Sequence, residues 1–129
     1  MILPRAIRDA VVAHAREASP FECCGILVGT PHAIVTAVRA ANLSESPTRF
    51  LIDPHDHIRA RREARAARLE VIGFYHSHPR SDAVPSATDL AEASYAGHLY
   101  LIVGLAGDDP DVQLYRFTGS SFEAVSFRT

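Results

Sequence analysis

Apolar side chains return at Leu3, Ile7, Ala10, Val11, Ala15 and Ala18, with His14 on the same stripe. That three-to-four-residue spacing predicts an amphipathic helix with one buried face, and Ser19-Pro20 is expected to stop it. Cys24 to Val28 is a short unbroken apolar run bounded by Gly29-Thr30-Pro31, the pattern of a buried strand, and Ala33 to Ala41 reads as the strand returning from it. A polar loop follows from Asn42 to Pro47, then a brief strand is expected over Arg49 to Ile52, ended by Asp53-Pro54. From His55 to Leu69 the period is helical again, with Ala60, Ala64 and Ala67 as a narrow seam small enough to lie close on a sheet.

Val71 to Tyr75 predicts a strand that runs directly into a pair of histidines. Pro79 to Pro85 reads as loop, and Ser86 opens a helix expected to reach about Tyr95. Leu99 to Leu105 is strongly apolar and is expected to be a central strand. Val112 to Phe117 alternates as a strand, and Phe122 to Phe127 reads as a last edge strand. No linker, repeat or low-complexity stretch interrupts the series. Three helices interleaved with about six strands predict one α/β domain over residues 1–129, a mixed sheet with helices packed on it.

Composition narrows the function classes. The 129 residues are 47% hydrophobic and 22% charged with a net charge of −2, the profile of a soluble globular chain without the basic bias of a nucleic-acid or membrane binder. There is no lysine: all 13 basic residues are arginines, which excludes Schiff-base chemistry, a Walker-type phosphate loop and acylation on a lysine of this chain. No secretory leader and no membrane-spanning run is expected. The two cysteines, Cys23 and Cys24, are neighbours and cannot build a disulfide framework, so the expected compartment is the reducing cytoplasm.

The chemistry concentrates in Gly73-Phe74-Tyr75-His76-Ser77-His78-Pro79 and in Pro85-Ser86-Ala87-Thr88-Asp89. On a strand, residues two apart share a face, so His76 and His78 can reach one ion. Asp89 arrives from the first turn of the following helix, where an anion also suits the positive helix end. Two imidazoles and a carboxylate favour zinc over calcium or magnesium and leave a fourth position for water, the mark of a catalytic rather than a structural site. One zinc per chain is the expectation. Glu22, at the mouth of the first strand, is the candidate base that moves a proton from water to a leaving amine, and Ser86 the candidate donor to an oxyanion.

Each of these residues has a plainer reading. Ser86-x-x-Asp89 also fits an N-terminal capping box, and Ser86 can cap with a lone pair while donating its proton. Glu22 alone reads as a solvated loop carboxylate. His14 is expected to be a packed boundary residue, and His32 and His98 to lie in turns. His55-Asp56-His57 is a second H-x-H, but at a helix start residues two apart diverge by about 200° and do not easily chelate one ion. Arg59, Arg61, Arg62, Arg65 and Arg68 give the middle helix a basic face, by default solvated and balanced by Glu63 and Glu70, with docking of an acidic partner as the other reading. Two further classes stand beside the metal reading: a cysteine hydrolase using Cys23 or Cys24, and a non-catalytic scaffold.

With Glu22, His76-Ser77-His78-Pro79, Ser86 and Asp89 in place, the chain resembles the JAMM (MPN-plus) zinc metalloprotease family, and its flanking Phe21-Glu22-Cys23-Cys24-Gly25 and Gly73-Phe74-Tyr75-His76 are similar to small prokaryotic members. The resemblance spans about Leu3 to Tyr115. It implies a curved mixed β-sheet flanked by helices, layered as in cytidine deaminases. It further implies zinc on His76, His78 and Asp89, Glu22 as general acid/base and Ser86 as oxyanion donor. It also implies cleavage of a peptide or isopeptide bond after the Gly-Gly tail of a ubiquitin-like protein, in compact bacterial members a sulfur carrier. A deubiquitinase-like isopeptidase and a RadC-like protein are the alternatives within the same superfamily.

Overall fold

The computed structural model describes residues 1–129. Six strands, β1 (Cys24–Gly29), β2 (Ile34–Ala40), β3 (Glu70–His78), β4 (Leu99–Gly104), β5 (Asp111–Phe117) and β6 (Phe122–Ala124), form one sheet. Its order is β2-β1-β3-β4-β5-β6, with β3 and β4 parallel and every other neighbouring pair antiparallel. Three helices accompany it: α1 (Arg5–Ala18), α2 (Pro54–Ala66) and α3 (Ala87–Glu92). The parallel β3–β4 pair needs a crossover, and the segment that makes it carries α3.

Strand alternation divides the core in two. Leu27, Tyr75, Leu101, Val103 and Leu114 join Val11, Val12 and Ala15 of α1 on one face. Ile26, Phe74, Tyr100 and Phe117 join Ala60 and Ala64 of α2 on the other. The central strands β1 and β4 are buried along their whole length, which is why their sequences are unbroken apolar runs rather than alternating ones. Each buried valine of α1 contributes about 1.5–3 kcal/mol relative to an exposed one. Gly25 makes room within this packing: a Cβ there would stand 2.0 Å from the Tyr75 ring, whose hydroxyl lies 2.7 Å from His14 Nδ1. No helix is long and apolar enough to cross a membrane.

The helix ends follow their local chemistry. Ser19 adopts an extended conformation before Pro20 and ends α1. Asp53 caps α2 by accepting from the His55 amide at 2.9 Å, with Pro54 in the first turn, and Arg68 at φ 60 turns the chain away. Three expectations change. Arg49 to Ile52 is not a strand. Its one ladder link is an isolated bridge from Asn42 to Ile52. Asn42 takes the place of a partner strand, its Oδ1 accepting from Leu51 N (2.9 Å) and its Nδ2 donating to Arg49 O (3.1 Å). The helix opened by Ser86 stops at Glu92 instead of Tyr95, because Ala93 is extended and Tyr95 turns its ring to within 5.3 Å of Phe74. Ala67 is exposed at the α2 C-cap, so the seam against the sheet is Ala60 and Ala64 alone.

Candidate active site

β3 continues three residues past its apolar run and carries the histidines within it. Antiparallel pairing sets Cys24 opposite His76, and parallel pairing sets Ile102 opposite His76 and Gly104 opposite His78. Tyr75 and Ser77 therefore face α1, while Phe74, His76 and His78 share the face of α2. Asp89 comes from the first turn of α3, where Ser86 forms a full capping box: Ser86 Oγ accepts from the Asp89 amide at 3.0 Å, and Asp89 Oδ2 accepts from the Ser86 amide at 2.9 Å. The plain reading of Ser-x-x-Asp thus holds: the pair caps α3. Because Ser86 Oγ spends a lone pair on the cap, its proton stays free to donate.

His76 Nε2, His78 Nε2 and Asp89 Oδ2 form a closed triangle with sides of 3.2, 3.1 and 3.0 Å. All three residues are buried, at 0%, 5% and 6% exposure. They are the one group of metal-ligating side chains brought together in the chain. His78 Nδ1 lies 2.8 Å from the Asp82 carbonyl, which can only accept. Nδ1 must therefore carry a proton, so that a ring which gives up its Nε2 proton to a bound cation would turn that lone pair into the triangle. Tetrahedral zinc with ligand bonds of about 2.0–2.1 Å has ligand–ligand edges of about 3.3 Å. The donor set and the triangle fit that ion, with one tetrahedral corner unclaimed by protein.

Electrostatics point the same way. Burial acts to raise the Asp89 pKa, but hydrogen bonds from His76, His78 and the Ser86 amide outweigh it and hold the carboxyl well below the usual range. Burial lowers His76, whereas at His78 the bonds to Asp89 and the Asp82 carbonyl overcome burial and raise it. An anion facing two imidazoles is the pattern of a cation site.

Glu22 is not the solvated carboxylate its composition suggests. It is 3% exposed with Oε1 buried and unpartnered, and burial, reinforced by Asp89 and Glu92 against the opposing effect of His78, pushes its pKa up to about 8. Its backbone is fixed on both sides: its amide donates to Ser46 O (2.8 Å) and its carbonyl accepts from Asn42 Nδ2 (3.0 Å). The next residue, Cys23, donates to Ser77 Oγ at 2.8 Å, tying Glu22 to the residue between the two histidines.

Two cavities border the triangle, one at His78 and the other at Asp89. One of about 510 Å³ is lined by Glu22, His78 and Ser86 together with Arg80 and Val84. The other, about 520 Å³ and mostly apolar, is walled by Phe50, Leu51, Ile52, Phe74 and Tyr95 and reaches Asp89. His76, His78 and Asp89, named from the sequence as ligands, thus converge on one point, and Glu22 and Ser86 line the cavity beside it. The second H-x-H is not. His57 accepts from Arg61 Nε at 2.9 Å and packs edge-on to Phe74, while His55 is exposed. His14 is a half-buried boundary residue and His32 is exposed, while His98 follows the turn at Gly97 and stacks on Phe74. Of the basic face, Arg59 pairs with Asp56 and Arg61 lies over Tyr95, leaving Arg62, Arg65 and Arg68 exposed. Cys23 and Cys24 are buried, with thiol pKa values pushed up by that burial to about 11 and 12, the opposite of an activated nucleophile. Asn42, Phe50, Ser77 and the Asp82 carbonyl are site residues the sequence reading missed, and Phe50, read as part of a strand, gave no signal of its place.

A family model described as prokaryotic homologs of the JAB domain matches residues 4–118. A desampylase of Haloferax volcanii is 36% identical over 126 residues, covering 92% of this chain and 88% of the relative. A CysO-cysteine peptidase of Mycobacterium tuberculosis is 31% identical over 106 residues, covering 80% of this chain and 72% of the relative. A protein of Desulfitobacterium hafniense solved in solution superposes with a TM-score of 0.90 at 30% identity, covering 99% of this chain and 92% of the other. A structure described as a JAMM metalloprotease-like zinc site shares the fold, with a TM-score of 0.64 at 23% identity over 99% of this chain and 95% of the other.

Proposed function

This chain belongs to the family of prokaryotic homologs of the JAB domain and is a hydrolase of peptide bonds, and on that premise we propose that it is a zinc peptidase cutting immediately after the Gly-Gly tail of a ubiquitin-like sulfur carrier protein. The observation that carries the proposal is the buried His76–His78–Asp89 triangle with Glu22 and Ser86 lining the cavity beside it. His76, His78 and Asp89 would hold one zinc ion, which supplies Lewis acidity and lowers the pKa of a water to about 7.

The protein's own groups do the rest. Glu22 accepts the proton of the attacking water and delivers it to the departing amine. Its elevated pKa suits that exchange, because a shuttle works best when neither protonation state is strongly preferred near the working pH. Ser86 donates its free hydroxyl proton to the oxygen that gains charge in the tetrahedral intermediate, an interaction worth about 2.7–4 kcal/mol in comparable sites. Burial of the triangle excludes bulk water and strengthens each of these contacts. The cavities bordering His78 and Asp89 are the room available to the substrate and its leaving group.

The relatives named desampylase and CysO-cysteine peptidase support conjugates of ubiquitin-like proteins as the substrate class. A diglycine tail has no side chains to clash with the aromatic walls of Phe50 and Tyr95. The test is mass spectrometry of a carrier protein extended beyond its diglycine, incubated with zinc-loaded and with chelator-treated enzyme. Cleavage after the second glycine in the first sample alone is expected, with either terminal Gly→Ala change in the carrier lowering kcat/KM by about 10²-fold. Equal cleavage of unrelated unfolded peptides would replace the carrier with a general peptide substrate.

A further inference from the structure

A metal-ligating histidine ordinarily donates its second ring N–H to an oxygen, which fixes both tautomer and ring orientation. His78 follows this rule through the Asp82 carbonyl. His76 does not. Its Nδ1 is buried without any partner, although the residue itself is fully buried. What lies against the ring is Phe50, with centroids 4.4 Å apart and planes inclined by 21°, a close parallel stack. Phe50 is itself fixed on both flanks, because Asn42 bonds the carbonyl of Arg49 and the amide of Leu51.

Resting on the zinc reading above, we propose that Phe50 is a positioning residue, its ring replacing the missing hydrogen bond and holding His76 Nε2 toward the metal. A His side chain without an anchored Nδ1 swings about its Cβ–Cγ bond, and a flat ring packed on its face limits that swing more than a flexible aliphatic side chain does. The role differs from lining the apolar cavity, since it operates before any substrate is present. Leu51 serves as the internal comparison, because it walls the same cavity from the next position.

The experiment measures zinc affinity of metal-free protein by competition with a chromophoric chelator, without substrate, for wild type, Phe50→Leu, Phe50→Tyr and Leu51→Ala. Thermal melts of the metal-free forms check the fold, and absorption of the cobalt-substituted forms reports ligand geometry. Phe50→Leu is expected to weaken zinc by about 10–100-fold and to alter the cobalt spectrum. Phe50→Tyr, which keeps the ring, should restore both, and Leu51→Ala should match wild type. Unchanged affinity in Phe50→Leu would overturn this inference alone, as would an equal loss in Leu51→Ala, which would assign the effect to the loop as a whole. A wild type that binds no zinc would overturn the proposed function and this inference together.

Discussion

Replacing Glu22 by Gln isolates the energetic consequence of keeping a carboxyl group in a dry pocket. The side chain is 3% exposed, its Oε1 has no partner, and its pKa is displaced from an ordinary 4.5 to about 8. Between those two values the folded, metal-free protein holds a proton that the unfolded chain has released. Unfolding free energy therefore falls as pH rises through this window, and is flat with respect to Glu22 on either side. Three to four pKa units at about 1.36 kcal/mol each set a ceiling of roughly 5 kcal/mol. Water entering the pocket and the unmet hydrogen bonds of the new amide reduce the expected gain of Glu22→Gln to about 2 kcal/mol at pH 8.5. For 129 residues that is about 7 °C in Tm. At pH 5 the two proteins should melt alike. The assay is differential scanning calorimetry of metal-free wild type and variant from about pH 5 to pH 8.5, read as the difference between them so that groups not coupled to Glu22 cancel. Parallel curves across that range would refute the reasoning. Turnover should collapse in the same variant while zinc is retained, which would identify the residue that weakens the fold as the one that moves the proton.

His76→Ala or Asp89→Ala should abolish stoichiometric zinc by elemental analysis, whereas His55→Ala and His57→Ala should leave it intact. Ser86→Ala should keep zinc and lose about 10²–10³ in kcat with a smaller change in KM, and calorimetry should register about 1 kcal/mol of lost stability from the missing helix cap. Gly104→Ala should loosen His78 from a distance: its Cβ would stand 2.5 Å from Ala83 N and 2.7 Å from Asp82 C, displacing the carbonyl that anchors Nδ1. Chelator competition should show weaker zinc in that variant.

The parts of this site that could be read from the chain are those whose spacing is locally determined. Two histidines on one strand and an acid three residues after a cap carry their geometry in the sequence interval itself, so the triangle of His76, His78 and Asp89 was legible. The layered sheet was legible for the same reason, since β1 and β4 announce burial on both faces by continuous apolar runs. What escaped depends on contacts between distant segments. Arg49 to Ile52 has the composition of a strand, but the amide of Asn42 satisfies its backbone. The α3 helix has residues enough to continue, but Tyr95 gains more by joining Phe74, His57 and His98. Burial of Glu22, which determines its chemistry, comes from segments 20 or more residues away in the chain.

The Cys23–Ser77 bond has a consequence for how such an enzyme can diversify. It clamps the residue beside Glu22 to the residue between the histidines, and the strand register from Cys24 opposite His76 extends the same constraint. A one-residue slip there would turn every side chain of the strand to the wrong face, so this portion of the chain tolerates almost no drift. The cavity wall from Phe50 to Ile52 lies in irregular backbone, where insertions and exchanges are borne far more easily. If that cavity receives the substrate, as proposed, chemistry and substrate choice lie on separately mutable parts of one small molecule. On the proposed reading Phe50 is where the two meet, and a lineage that reshapes the cavity at that position would alter its grip on metal in the same step.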